Sequence, residues 1–142
     1  RRVLFRSGTV RRADGAVVGS TATQLIGQFK VDYAIIGASA IDEEGALLDF
    51  DYREVQVAQA IIANARNVML VSDATKLRRS APVRIAHMSQ IQTFVTDSPL
   101  PAGLANICHS RGIEVVVAMD KPQADIDDNA DPAPAPATLR SA

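Results

Sequence analysis

The sequence predicts an α/β domain built on a mostly parallel sheet with helices on both faces. Short, nearly continuous apolar runs recur along the chain, as expected of strands that are buried on both sides. Helical patterns lie between these runs, and this alternation is typical of parallel sheets with helical crossovers. The chain has 142 residues, 47% of them hydrophobic, which suits one domain with its own core.

The apolar runs of strand length are rich in β-branched residues. They are YAIIGAS (33–39), VMLVSD (68–73), FVTD (94–97) and IEVVVA (113–118). Ligands of open α/β sheets bind beyond the carboxyl ends of the strands. Candidate binding residues are therefore expected where these runs end.

Two helices are predicted before the middle of the chain. The segment STATQLIGQF (20–29) places apolar residues at i, i+3, i+4 and i+7 after a Ser/Thr cap. The segment DYREVQVAQAIIANAR (51–66) is the longest predicted helix. Asp51 and Glu54 form a capping-box pair at its start, in which the N3 glutamate reaches back to the cap.

A third helix is predicted over SPLPAGLANICHSRG (98–112). Ser98 is its expected N-cap and Pro99 its first residue, because proline is favoured at that position. Gly112 is the expected C-terminal glycine, since helices commonly end with a left-handed residue.

The composition excludes several classes of function. Lys and Arg (15) nearly balance Asp and Glu (16), so no field of the whole domain attracts nucleic acid or acidic membranes. A single cysteine permits no internal disulfide, and no apolar run approaches the roughly 18 residues of a membrane span. His87 and His109 lack partners at metal-ligand spacing, and no dinucleotide or P-loop motif occurs. We therefore expect a cytoplasmic protein without metal, cofactor or membrane partner.

Polar residues follow three of the predicted strands. Gly37 and Asp42 follow the first, Asp73 and Lys76 the second, and Asp97 the third. A lysine supplies a point charge for a phosphate, and an aspartate accepts hydrogen bonds from hydroxyls. A small-anion site is one interpretation; a solvated basic loop, an acidic turn and a helix cap at Asp97 are the alternatives that the residues leave open.

The start of the longest helix carries more acid than a cap needs. Asp49, Asp51 and Glu54 place three carboxylates around one helix N-terminus. The excess indicates recognition of a polyol, or a base near a sugar carbon. Capping alone accounts for Asp51 and Glu54 equally well, so both interpretations stand.

Several segments together resemble a known family. RADGAVVG, DYAIIGASAID, EEGALLDFDYREVQVAQAIIANARNVMLVSDATKL and FVTD resemble the C-terminal effector-binding domain of DeoR-type transcriptional repressors. The resemblance covers about 8–117, and the helix beginning DFDYREV is its most specific part. It implies a fold similar to ribose-5-phosphate isomerase and an effector that is a phosphorylated sugar or polyol.

The family's motifs map onto the strand ends. Its G-x-x-G-I-D element runs from Gly37 to Asp42, with alanine in place of the second glycine. Its helix-start glutamate falls on Glu54, and its D-x-S-K element runs from Asp73 to Lys76, with threonine in place of serine. With the glycine and arginine near the start of the match, the candidate effector-binding residues are Gly8, Arg11, Gly37, Asp42, Glu54, Asp73 and Lys76.

The resemblance, the composition of the C-terminal segment and the codons of the first residues together predict how the chain is divided. We expect a non-native leader over 1–7, a partial effector-binding domain over 8–118 and a disordered acidic Pro/Ala tail over 119–142. The codons AGA CGT GTG CTC TTC CGA TCT encode RRVLFRS and form a common sequencing-adapter sequence; a native strand and a basic arm are the alternatives. The family's winged helix-turn-helix and its D-x-G-T-T loop are not found in the sequence.

The expected function is ligand sensing in a bacterial repressor of carbohydrate or glycerol catabolism. The effector would control DNA binding by the missing helix-turn-helix, and the full-length protein would be a homo-oligomer. Enzymatic turnover is not expected, because ASAID and ALLDFD replace the acid-rich and glycine-rich elements of the isomerases. A sugar-phosphate isomerase with Glu54 as base and an oligomerisation scaffold without ligand are the rival functions.

Overall fold

The computed structural model describes residues 9–10 and 17–118. The elements in chain order are β1 (Thr9–Val10), β2 (Val17–Val18), α1 (Ser20–Ile26), β3 (Val31–Ile36), β4 (Ala40–Ile41), β5 (Ala46–Asp49), α2 (Tyr52–Asn64), β6 (Ala65–Val71), β7 (Val83–His87), β8 (Thr93–Thr96), α3 (Ala102–Arg111) and β9 (Glu114–Val117). Two 3-10 helices, Ala74–Arg78 and Met88–Gln90, follow β6 and β7. The predicted leader and tail, with Gly8 and Arg11, lie outside the described residues.

A four-stranded parallel sheet organises the domain, with strand order β3-β6-β8-β9. Each of the four predicted apolar runs contributes one of these strands, so the predicted α/β class is confirmed. Leu70 lies in register with Ile36 on one side and Phe94 on the other. Leu70 and Phe94 are fully buried, which places the core directly against the centre of this sheet.

A second, antiparallel sheet was not predicted. Its strand order is β4-β5-β7, and Leu47 lies in register with Ile41 and Ala86. The hairpin between β4 and β5 turns at Gly45, whose φ of +87° favours glycine. The strand β4 has only two residues, which is too short for an alternation of apolar and polar residues to show in the sequence.

The longest helix begins as predicted. Asp51 is the N-cap of α2, and its carboxylate accepts a hydrogen bond from the backbone N–H of Arg53 at 2.8 Å. The helix ends at Asn64, and β6 begins at the next residue. The first helix, α1, ends at Ile26, earlier than its apolar pattern predicts.

The third helix begins later than predicted. Its N-cap is Pro101 rather than Ser98, and its first residue is Ala102 rather than Pro99. Leu100 precedes a proline, and a residue in that position is disfavoured in the helical region. The predicted end is confirmed, since Gly112 adopts the left-handed conformation with φ +66°.

The crossovers between parallel strands cover one face of the sheet. The core packs Ile36, Val68 and Phe94 of the sheet against α2, α3 and the antiparallel sheet. Each successive strand of the sheet is added on the same side of the previous one, from β3 to β9. Right-handed crossovers between strands added in this way all lie on the same face of the sheet. Among the described residues, the predicted helical cover is therefore present on that face, and the opposite face bears exposed apolar side chains.

Candidate functional site

A cleft lies where β3 ends and α2 begins. It encloses about 400 Å³ and is bordered by Gly37, Ser39, Asp49 and Glu54. Its remaining wall is apolar, formed by residues of β3, α2 and β7. The cleft therefore combines the carboxyl end of a parallel strand with a helix N-terminus, the place where open α/β sheets bind ligands.

One wall of the cleft holds an oriented carboxylate. The Ser39 hydroxyl donates a hydrogen bond to Oδ1 of Asp49 at 3.1 Å, and the backbone N–H of Phe50 donates to the same oxygen at 2.6 Å. These two donors orient the carboxylate of Asp49, which is the last residue of β5 and borders the cleft. The sequence showed Asp49 as an excess acid, and the structure gives it a defined place in the cleft.

Glu54 lies on the helical side of the same cleft. It occupies the first turn of α2 and is half-buried. Partial positive charge at a helix N-terminus stabilises carboxylates in the first turn. With Asp49 it gives the cleft two hydrogen-bond acceptors, and no lysine or arginine borders the cleft in the described part of the chain.

Gly37 forms the floor of the cleft without being required by the fold. It has no positive φ, and a Cβ built on it would meet only the Val71 carbonyl oxygen, at 3.9 Å. That distance is an ordinary van der Waals contact. The absent side chain therefore leaves open space at the end of β3, as a ligand that approaches the backbone needs.

Asp42 lies outside this cleft. Its Oδ1 accepts hydrogen bonds from the backbone N–H groups of Glu44 at 3.1 Å and Ala46 at 2.7 Å, which close the β4–β5 turn. It also borders a separate cavity of about 300 Å³, beside Leu77 and Leu104. The acidic-turn interpretation thus explains the position of Asp42.

Asp73 and Lys76 lie in the 3-10 helix that follows β6. Asp73 is its N-cap and accepts hydrogen bonds from the Thr75 hydroxyl and from the Thr75 N–H. The Thr75 hydroxyl, with the nearby Lys76 charge as a smaller contribution, lowers the pKa of Asp73 below its ordinary value. Lys76 takes part in no ion pair among residues 19–118 for which side chains are described, and neither residue borders the cleft.

Asp97 serves the loop of a neighbouring strand rather than its own helix. Its Oδ1 accepts a hydrogen bond from the backbone N–H of Ala74 at 2.7 Å. This bond ties the end of β8 to the start of the 3-10 helix after β6. Asp97 therefore does not cap α3, the helix that follows it in the chain. It accepts a hydrogen bond from the first residue of the 3-10 helix Ala74–Arg78 instead.

The candidate residues fall into two neighbouring groups. Gly37 and Glu54 share the cleft, whereas Asp73 and Lys76 lie on the exit of the adjacent strand, β6. The proximity of Gly37 to the Val71 carbonyl shows that the two strand exits are neighbours. Gly8 and Arg11 lie outside the described residues.

Two buried hydroxyls lie at the ends of the neighbouring strands β6 and β8. Ser72 and Thr96 are 7% and 3% exposed, and their hydroxyls have no hydrogen-bond partner among the described residues. They follow β6 and end β8, one position before Asp73 and Asp97. Their short polar side chains in apolar runs were the available signal.

An α/β domain with a hydrogen-bonding cleft at a strand end is typical of proteins that bind small molecules. A family model described as the DeoR C terminal sensor domain matches residues 1–98. The chain belongs to this family of sensor domains. Within the described residues, no helix combines the length and the apolar character needed to cross a bilayer.

Curated relatives are transcriptional repressors. The chain is 38% identical to the glycerol-3-phosphate regulon repressor of Escherichia coli K12 over 114 residues, which are 80% of this chain and 45% of the relative. It is 38% identical to the repressor of the same name from Haemophilus influenzae over 118 residues, 83% of this chain and 46% of that relative. It is 34% identical to the HTH-type transcriptional repressor CsqR of Escherichia coli K12, over 83% of this chain and 45% of CsqR. The chain thus spans about half the length of these relatives.

Proposed function

We propose that this chain is the ligand-sensing part of a cytoplasmic bacterial repressor of carbohydrate or glycerol catabolism, and that its effector is a phosphorylated sugar or polyol. The observation that carries the proposal is the cleft with two carboxylates, Asp49 and Glu54, at the end of β3. The names of the relatives, glycerol-3-phosphate regulon repressors among them, support the choice of effector class.

The cleft suits the hydroxyl end of such an effector. Carboxylates accept hydrogen bonds from hydroxyls but repel a phosphate, and two carboxylates, those of Asp49 and Glu54, border the cleft. The apolar wall from α2 packs against the carbon chain of the ligand. We therefore assign the hydroxyls to the cleft and not the phosphate.

The phosphate is assigned to the adjacent strand exit. Lys76 supplies the positive charge there, and the β6 exit lies beside Gly37. Lys76 is half-buried and in no ion pair within the part of the chain with described side chains, so its charge is available to an anion. Arg11 and Gly8 remain proposed contributors from the segment outside the described residues.

In the full-length repressor, effector binding would change the affinity for DNA. A ligand shifts an equilibrium between two states only by its difference in affinity for them. We propose that the liganded state binds the operator less tightly, through a DNA-binding region that lies elsewhere in the polypeptide, and that the repressor acts as a homo-oligomer.

Calorimetric titration tests the assignment of the hydroxyl end and the phosphate end of the effector to these two places. The 142-residue chain is titrated with sn-glycerol 3-phosphate, fructose 1-phosphate and ribose 5-phosphate, and with glycerol and inorganic phosphate as separate halves. Saturable binding of one phosphorylated compound, with neither half binding comparably, is expected. Binding of inorganic phosphate as tight as that of the whole compound would contradict a role for the hydroxyls.

Two lysines provide a matched pair of variants. Lys76 lies at the carboxyl end of the sheet, whereas Lys30 precedes β3 at the amino end. Lys76→Ala is expected to weaken binding at least tenfold, and Lys30→Ala to leave it unchanged. Equal effects of both substitutions would show that the lysines act only through the net charge of the domain.

An isomerase is the second candidate, because Glu54 borders the cleft and the resemblance to the isomerases aligns it with their catalytic carboxylate. The relatives named above are repressors, which favours sensing. Incubation with ribose 5-phosphate, followed by NMR of the sugar, separates the two functions. No conversion is expected; conversion that is lost in Glu54→Gln would establish the enzyme instead.

A further inference from the structure

Ser39 and Asp49 form a hydrogen-bonded pair on the wall of the cleft at the end of β3. Ser39 directly precedes β4, and Asp49 is the last residue of β5. These strands are antiparallel with Ala40 in register with Leu48, so the next pair along the ladder brings Ser39 opposite Asp49. Both side chains are half-buried, and both border the cleft.

The protons of this pair are already committed. The Ser39 hydroxyl donates its one proton to Oδ1 of Asp49 at 3.1 Å, and the backbone N–H of Phe50 donates to the same oxygen at 2.6 Å. An ionised carboxylate has no proton to donate, and a hydroxyl that has donated its proton can only accept further hydrogen bonds. The pair therefore presents acceptors, and no donor, to the cleft.

Oδ2 of Asp49 is the acceptor that remains for a ligand. It makes no hydrogen bond within the part of the chain whose side chains are described, whereas Oδ1 accepts two. The two oxygens of a carboxylate together offer about four acceptor positions. A ligand hydroxyl in the cleft can therefore donate to Oδ2, whereas a ligand atom without a proton would meet only acceptors.

The short ladder between β4 and β5 does not depend on this side-chain bond. At one end the Ser39 N–H donates to the Leu48 carbonyl oxygen at 3.0 Å, and at the other the Asp42 N–H donates to the Ala46 carbonyl oxygen at 3.1 Å. Backbone hydrogen bonds thus hold both ends of the ladder. What the side-chain bond adds is a fixed orientation of a carboxylate that borders the cleft.

We propose that Ser39 is a positioning residue and that, through Asp49, it makes the cleft selective for an effector that donates a hydroxyl proton at this place. The inference rests on the proposed function, because it concerns the hydroxyl end of the same phosphorylated polyol. Ser39 and the Phe50 N–H fix Oδ1, and Oδ2 accepts from the effector. A site built to pair with a ligand hydroxyl rejects an analogue that lacks it, because the polar groups of the site are then left unpaired.

Fluorinated analogues test this selectivity in calorimetric titrations of the 142-residue chain. The probes are sn-glycerol 3-phosphate and its 1-deoxy-1-fluoro and 2-deoxy-2-fluoro analogues, since fluorine is close to a hydroxyl in size but carries no proton. At least one of the two replacements is expected to raise the Kd about tenfold or more, as the loss of a hydrogen bond to a charged acceptor does.

Three substitutions assign the selectivity to the pair. Asp49→Asn replaces an acceptor by an amide donor, and the loss on fluorination is expected to fall below about threefold, because one pairing to the charged acceptor is gone. Ser39→Ala removes the donor that orients Oδ1 and is expected to reduce the loss as well. Ser39→Thr keeps a hydroxyl and is expected to restore it.

Asp32→Asn is the matched control for charge. Asp32 lies near the amino end of β3, its side chain is 69% exposed, and its substitution removes the same charge as Asp49→Asn. The selectivity is expected to be unchanged in this variant. Far-ultraviolet circular dichroism of each variant verifies that it is folded.

The outcomes separate this inference from the proposed function. Equal affinity of the unmodified chain for the three compounds would overturn the inference and leave the sensing of a phosphorylated effector standing. Selectivity that persists in both Asp49→Asn and Ser39→Ala would also overturn it, because the hydroxyl contact would then lie elsewhere. Binding of none of the three compounds would contradict the proposed function, and this inference with it.

Discussion

The segment GASAIDEEG contains two glycines, Gly37 and Gly45. The backbone conformation requires a glycine at Gly45, whereas the fold does not require one at Gly37. Gly45 has a φ of +87°, and a Cβ built there would lie 3.1 Å from Cβ of Met88 and 3.4 Å from Nε2 of His87. Met88 is fully buried, so its Cβ has little room to shift. Gly37 has neither feature, since its nearest obstacle is the Val71 carbonyl oxygen at 3.9 Å.

The two alanine substitutions therefore differ in their effect on stability. For Gly45→Ala, a left-handed residue with a Cβ costs about 1–2 kcal/mol, and crowding in a packed core about 1–3 kcal/mol. We expect a loss of about 2–5 kcal/mol in the free energy of unfolding. For Gly37→Ala we expect a change below about 1 kcal/mol, in the stabilising direction, because alanine restricts the unfolded chain.

Urea denaturation followed by far-ultraviolet circular dichroism measures both changes. At a slope of about 2 kcal/mol per molar urea, Gly45→Ala is expected to lower the midpoint by about 1–2.5 M, while Gly37→Ala shifts it by less than about 0.5 M. Binding of sn-glycerol 3-phosphate should nevertheless weaken in Gly37→Ala, because the added methyl group enters the cleft. A Gly37→Ala variant as unstable as Gly45→Ala would refute the assignment of Gly37 to the ligand.

Three further predictions concern single side chains. Asp51→Ala removes the N-cap of α2 and its bond to the Arg53 N–H, and is expected to cost about 1 kcal/mol in the free energy of unfolding measured by urea denaturation. The pKa of Asp73 is lowered below 3.8 in the folded state, so its stabilising contribution is present above pH 3.8 and is lost as the pH falls through the folded-state pKa. Thr75→Val should therefore raise that pKa in an NMR titration; an unchanged value would contradict the role of the hydroxyl. Burial raises the pKa of the Cys108 thiol above 9.0, so iodoacetamide should alkylate it only when the chain unfolds, and rapid native-state labelling would show that the α3 packing is wrong.

The parallel sheet was predictable because its signal is local. Strands such as β6 and β8 contain short apolar runs rich in β-branched residues, VMLV and FV, and their type can be read without knowing their neighbours. The cap at Asp51 and the helix end at Gly112 are equally local, because each depends on a few residues around one helix terminus. The start of α3 was misjudged because two prolines compete, and the restriction imposed by Pro101 outweighs the preference for Pro99 at a first turn.

The antiparallel sheet could not be read in this way. β4 and β7 gain their stability from pairing with β5, and such pairing is a property of distant segments. The one-sided cover of the sheet also follows from strand order, which residue patterns do not contain. The sequence of the strands along the chain is compatible with cover on either face.

The candidate site was predictable in part. Gly37 was predicted because it follows a strand, and Glu54 because it lies at the start of a helix. Both residues border the same cleft. Asp42 follows the same strand but is turned into the β4–β5 hairpin by two backbone N–H groups. The direction of a side chain after a strand depends on the turn that follows, and that turn was not predicted.

The central claim is that the cleft at the end of β3 holds the hydroxyls of a phosphorylated polyol. The most direct measurement is a two-dimensional ¹H–¹⁵N NMR titration of the 142-residue chain with sn-glycerol 3-phosphate. The account predicts saturable shifts confined to the amides around Gly37, Ser39, Asp49 and Glu54 and to those of the loop that carries Lys76. Saturable shifts elsewhere, or none in these two groups, would contradict it.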